Sequence, residues 1–100
     1  MSTSRERAYL SRLDVVFLTL RILSMKPSYM AEVSRTAKKL LNLELTARTL
    51  SRLGSGLTSR GWVTGKVDKV GRGSKIIYKL TRSGHKELAR RWQIYEEAVE

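Results

Sequence analysis

Four residues, Asn42-Leu43-Glu44-Leu45, separate two stretches whose apolar residues recur at helical period. Before them, Met30, Val33, Ala37 and Leu40 or Leu41 fall on one stripe; after them, Leu50, Leu53 and Leu57 do the same. So brief a link holds two amphipathic helices against each other, which is the grammar of a helix-turn-helix. Leu43 or Leu45 is expected to plug the space between the helices, and Thr46 to cap the later one.

That later helix bears a second stripe. Arg48, Arg52, Ser55 and Ser59 share another face, cationic and hydroxyl-bearing. Laid in a major groove, such a face meets phosphates and base edges together; the bland alternative is a solvated charged surface. Thr46, Arg48, Thr49, Arg52 and Ser55 are the candidate recognition residues. Gly54 and Gly56 sit in the same helix, each at a cost of about 1 kcal/mol relative to Ala. They either permit close packing against the first helix of the chain or mark an early end.

That first helix is predicted over 5–25, with Tyr9, Leu13, Val16, Phe17, Leu20 and Leu23 on its apolar face. Leu10, Val15 and Ile22 widen the face, which implies contact with more than one element: the core plus a second subunit, or the core alone. Lys26-Pro27-Ser28 ends the pattern, and Ser28 is expected to cap a second helix over 29–41. Gly61 is placed as the glycine that closes the third helix.

Beyond it, Val63, Gly65 and Val67 alternate with Thr64, Lys66 and Asp68 in a strand over 62–70. Gly71-Arg72-Gly73-Ser74 makes a tip, and 75–80 returns with Ile76, Tyr78 and Leu80 on one face. The tip carries Lys69, Arg72 and Lys75, expected to touch phosphates, with Lys38, Lys39 and Lys66 as auxiliary contacts. Thr81 or Ser83 caps a final helix in which Leu88, Trp92, Tyr95 and Val99 are spaced four, three and four apart. These residues, with Tyr9, Leu10 and Leu13, form the expected homodimer interface. The alternative folds Trp92 back onto Phe17 and Leu20 of its own subunit.

Charge sharpens the reading. The 100-residue chain carries a formal +11, a balance suited to nucleic acid or an anionic surface. From Glu32 to Lys86 there are 13 basic and 3 acidic residues, whereas Glu87 to Glu100 hold 4 acidic and 2 basic. The length implies one domain, divided into 1–84 for binding and a dimerisation helix over 85–100. Cysteine is absent and His85 is the single histidine, so a zinc site, a catalytic triad and a cofactor site are not expected, and neither is an enzyme. No apolar run reaches the length of a membrane span and no signal-peptide core is seen, so the expected location is cytoplasmic.

In sequence the chain resembles the PadR-like group of small transcriptional regulators, and more distantly MarR-like proteins. Tyr29-Met30-Ala31-Glu32-Val33 resembles the family's Gly-Tyr-Glu-Ile segment. Leu45-Thr46-Ala47-Arg48-Thr49-Leu50 looks like the entry to its recognition helix. Leu57-Thr58-Ser59-Arg60-Gly61-Trp62-Val63 is similar to its leucine, polar stretch and Arg-Gly-Leu-Ile. Ile77-Tyr78-Lys79-Leu80-Thr81-Arg82-Ser83-Gly84 resembles the Tyr-x-Leu-Thr-x-x-Gly that closes its wing. Ser28 stands where the family prefers glycine. The resemblance implies an α+β winged helix-turn-helix with three helices, a β-hairpin wing and a C-terminal helix. It further implies a homodimeric, sequence-specific repressor of double-stranded DNA. Competing readings are an architectural DNA binder without sequence preference and a winged-helix interaction module of a transcription or replication assembly.

Overall fold

In a computed structural model the chain runs α1 (Ser4–Met25), β1 (Ser28–Tyr29), α2 (Met30–Leu41), α3 (Ala47–Ser59), β2 (Val63–Val70), β3 (Gly73–Leu80) and α4 (Arg82–Val99). The structure describes residues 4–71 and 73–99, without the side chains of 4–14, Val70, Tyr95, Ala98 and Val99. Arg72 of the expected wing, and the side chains of Tyr9, Leu10, Leu13, Tyr95 and Val99 of the expected dimer face, lie outside the described residues. The expected fold class is the one observed: three helices, a hairpin wing and a C-terminal helix.

The breadth of α1's apolar face is explained by its neighbours, since it packs on α2, β3 and α4. Leu20 and Leu23 enter a core with Leu57 of α3, Val63 of β2 and Tyr78 and Leu80 of β3. Burying each such aliphatic side chain contributes roughly 1.5–3 kcal/mol. Thr19 is buried among them, its hydroxyl satisfied by donation to the Val15 carbonyl at 2.7 Å.

Two expectations for α2 are corrected. Ser28 is not its cap. Ser28 and Tyr29 pair antiparallel with Tyr78 and Ile77, which makes a three-stranded sheet in the order β1-β3-β2. The Ser28 hydroxyl turns back to the Lys26 carbonyl, and the cap position falls to Tyr29, which offers no side-chain cap. Leu40 and Leu41 continue the stripe of Val33 and Ala37 but are exposed, Leu40 by 65%, because the last turn of α2 runs past the core. Asn42 then takes a left-handed conformation (φ 52°), and the Leu43 amide returns to the Ala37 carbonyl. Leu45, half-buried, is the better plug; Leu43 is exposed.

The glycines of α3 neither end the helix nor admit α1. Gly54 is buried beneath the Tyr78 ring, whose hydroxyl stands where a Cβ would be. Gly65 on β2 leaves space for the same ring and for Ile76. Tyr78 therefore joins the third helix to the hairpin.

Where α3 ends, Gly61 (φ 75°) donates to the Thr58 carbonyl and Trp62 to the Leu57 carbonyl, a Schellman closure with Trp62 packed on the core. Trp62 just precedes β2. Its ring lies beneath the guanidiniums of Arg60 and Arg91, 5.0 and 5.3 Å from the centroid. Of the two candidate caps for α4, Thr81 serves. Its hydroxyl accepts the Gly84 amide at 3.0 Å and donates to the Gly61 carbonyl at 2.6 Å, while its own amide donates to the Trp62 carbonyl.

One turn on, buried Glu87 accepts two bonds from Arg90 and one from Arg91. Arg90 foremost, then Arg91, holds its carboxyl below the usual carboxylate range against the opposing effect of burial. The stability this pairing adds is present above the ordinary carboxylate pKa and is lost as pH falls through the depressed one.

Gly84 sits so close to the Trp62 carbonyl and the Leu80 side chain that a Cβ has no space. Gly84→Ala is therefore expected to destabilise the protein by about 1–3 kcal/mol in urea unfolding. Gly56→Ala, at a helical position with nothing within 4 Å, is expected to stabilise it by up to about 1 kcal/mol. Equal effects from the two substitutions would contradict this packing.

Candidate nucleic-acid interface

The third helix is fixed on one side and open on the other. Leu50, Leu53, Gly54 and Leu57 turn inward, half-buried or buried. At about 100° per residue, Arg48, Arg52, Ser55 and Ser59 centre on the opposite side, and all four are exposed. Thr46 accepts the Thr49 amide at 3.1 Å and donates to the Thr49 hydroxyl at 3.0 Å, so the helix begins at a formed cap. Both threonines are exposed, but the cap occupies the Thr46 hydroxyl. Among the described residues neither Arg48 nor Arg52 makes an ion pair. The face is thus a cationic ridge with its donors unspent.

The hairpin stands beside this ridge. Val63 pairs with Leu80 and Val70 with Gly73. The tip is shorter than the four residues expected, since Gly73 and Ser74 belong to β3. Alternation splits the wing's cations. Lys69 lies on the face of Val63 and Gly65, whereas Lys66 and Lys75 lie on the other, and all three are exposed.

Residue spacing gave no hint of the brace that holds the hairpin. The Tyr29 hydroxyl donates to the Asp68 carboxylate, 39 residues away. Its ring lies under the Lys75 ammonium, 5.7 Å from the centroid. The Asp68 bond foremost, with burial and the negative charges of Asp68 and Glu32, raises the Tyr29 pKa above its ordinary value. Through this bond β1 reaches across β3 to β2. Between the start of α3 and β3 lies a concavity lined by Met30, Ala47, Leu50, Ile76 and Tyr78, with Ser74 and Lys75 at its edge.

The auxiliary cations differ in availability. Lys38 pairs with Glu44 across the helix-turn-helix link at 3.0 Å, at the edge of a cleft it shares with Arg35 and Lys39. Lys39 is exposed. At the far end of the molecule, Trp92 stacks on Phe17 with centroids 5.5 Å apart yet stays 48% exposed. Leu88 is half-buried against the core. Arg21, His85, Leu88, Ala89 and Trp92 line a shallow groove between α1 and α4. Among the described residues no group of three or more His, Cys, Asp or Glu could hold a metal ion. No described helix is long and apolar enough to cross a membrane.

No protein-family model matches the chain, and no curated protein matches it in sequence. Solved structures match it in fold. A PadR family transcriptional regulator from Eggerthella lenta aligns at 24% identity and TM-score 0.75, over 96% of this chain and 87% of that one. A PadR family transcription regulator from Clostridium difficile aligns at 19% and 0.73, over 82% and 86%. Bacillus subtilis PadR in complex with operator DNA aligns at 23% and 0.69, over 79% of this chain but 46% of that one. The fold is that of PadR-family winged helix-turn-helix regulators.

Tyr29→Phe removes the donor while keeping the ring, and is expected to cost about 1 kcal/mol in urea unfolding. In an Asp68→Asn background the cost should shrink, since the two side chains form one interaction. Fully additive losses would separate them.

Proposed function

We propose that the protein is a double-stranded-DNA-binding transcription regulator, acting as a small homodimeric repressor. The observation that carries this reading is the arginine ridge. Arg48 and Arg52 stand exposed and unpaired by any described acid, opposite the buried face of a helix that follows a four-residue turn. A wing bearing exposed Lys66, Lys69 and Lys75 flanks that helix, and the formal charge of the chain is +11. The fold it shares with PadR complexed with operator DNA supports the same reading.

In this account α3 enters the major groove. Arg48 and Arg52 reach base edges, while Thr49 and Ser55 reach edges or adjacent phosphates and Thr46, its hydroxyl held in the cap, contributes through its exposed methyl. Lys69, Arg72 and Lys75 contact the backbone or the minor groove from the wing, and Lys38, Lys39 and Lys66 add weaker phosphate contacts. Arginine held bidentate to guanine is worth about 1–3 kcal/mol of discrimination. Arg48→Ala and Arg52→Ala should each relax preference at particular base pairs in affinity profiling over single-base variants of a selected duplex. Uniform weakening at every position would move both residues to phosphate contact. No duplex affinity at low salt would remove the function itself.

The dimer is proposed to form about α4 and α1. Trp92 remains half-exposed after stacking on Phe17, so it has surface left for a second subunit. Leu88, Tyr95 and Val99 continue its stripe, and Tyr9, Leu10 and Leu13 belong to the facing helix. A two-fold pair of recognition helices would read a palindrome. Sedimentation equilibrium at micromolar concentration is expected to give about twice the 11.4 kDa chain mass. Trp92→Ala combined with Tyr95→Ala should return a folded monomer with weaker duplex binding. A wild-type mass near 11.4 kDa would end the dimer proposal.

A further inference from the structure

The hairpin is longer than its core. On the inward face of β2 and β3, Val63 and Leu80 of one pair and Tyr78 of the next, Gly65–Tyr78, are buried in the core. The next pair on that face is Val67–Ile76, and it is exposed, Val67 by 61% and Ile76 by 46%. The pair after that is Lys69–Ser74. An apolar cross-strand pair thus stands in solvent between the core and a cationic rim. Two apolar β-branched residues are thus offered to solvent, beside a cation, on a hairpin that projects past the core. Ile76 also forms one wall of the concavity whose other wall is Ala47, Leu50 and Ser51 in the first turns of α3. Val67 and Ile76 therefore make an apolar patch that reaches the start of α3 through Ile76, with Lys69 next outward on the same face.

We propose that this patch seats one sugar-phosphate strand of the DNA duplex, with Val67 and Ile76 packed on the deoxyribose faces and Lys69 on the flanking phosphates. The proposal rests on the duplex-binding reading and adds residues to it. Charge complementarity selects the occupant. A strand with anionic edges and apolar sugar faces matches a patch of valine and isoleucine with Lys69 next outward on the same face. Deoxyribose presents a methylene at C2′ where ribose presents a hydroxyl. Val67 and Ile76 offer that hydroxyl no partner, so the patch favours DNA sugars. The Tyr29–Asp68 bond holds β2 to β1, and with it the far wall of the concavity.

The test uses the full-length protein and a duplex that it recovers from a random-sequence selection. Val67→Thr combined with Ile76→Thr keeps β-branching and strand propensity while placing hydroxyls on the patch. Urea unfolding of the double variant confirms that it folds. Affinity is expected to fall about tenfold, the worth of roughly two buried methyl groups, with the slope of log K against log salt unchanged because neither substitution alters the counterions released from phosphates. Lys69→Ala should instead flatten the slope by about one phosphate. Single ribonucleotides placed along the duplex should weaken wild-type binding at discrete positions and weaken the double variant less. An unchanged affinity for the double variant overturns the proposal while leaving DNA binding intact. So does a loss confined to duplexes with thymine at one position, which would assign the pair to a base methyl group. Failure of the wild type to recover any duplex overturns both readings.

Discussion

The Trp62 carbonyl oxygen is the point at which the fold closes. It accepts the Thr81 amide, and the bare Cα of Gly84 rests against it. Four elements meet there: α3 ends, β2 begins, β3 ends and α4 begins. The Thr81 hydroxyl completes the junction by joining the Gly61 carbonyl to the first turn of α4. Above it the Trp62 ring carries two guanidiniums, and Arg91 is itself held by Glu87. Because the hairpin both leaves and re-enters the domain at this one place, its angle to α3 is decided there. That closure sets, at its base, the relation between the arginine ridge and the wing.

A second tie acts farther out. Tyr78 packs against Gly54 on the helix and Gly65 on the neighbouring strand. Tyr29 then reaches from β1 across the sheet to Asp68. The helix is thus held by ring packing and the hairpin by a charge-assisted hydrogen bond, which is stronger than a neutral one. These contacts leave the exposed side chains of the ridge uninvolved. Rigidity and the candidate binding chemistry come from different residues, so either can change without the other.

Much of this was legible in the sequence because the signals were local. Thr46 three residues before the amide it caps, Gly61 after a run of helical period, glycines between alternating strands, and Thr81 three before Gly84 each act within one turn of chain. The outward placement of Arg48 and Arg52 follows from period alone. The parts missed depend on distant neighbours. A two-residue strand has no period to detect, so in sequence Ser28 presents itself as a cap. Leu40 continues an apolar stripe perfectly well, and only the lack of an element beyond α2 leaves it in solvent. Gly54 suggested close packing, but that its partner is Tyr78 and not α1 follows from the tertiary path. Lys69 and Lys75 look like one cluster in the chain, and strand alternation sends them to opposite faces.

The tyrosine seated over Gly54 also bears on how the recognition helix comes into being. Thirteen residues is marginal for a helix in water, and two internal glycines weaken it by about 1 kcal/mol each. Such a segment gains little from forming ahead of its surroundings, and the ring that covers its glycine arrives on a strand some twenty residues later. Helix and hairpin therefore belong to one cooperative unit, made and lost together. A nascent or partly opened chain would then hold no finished ridge awaiting its wing. The surface exists complete or it does not exist, and its population follows the stability of the whole domain.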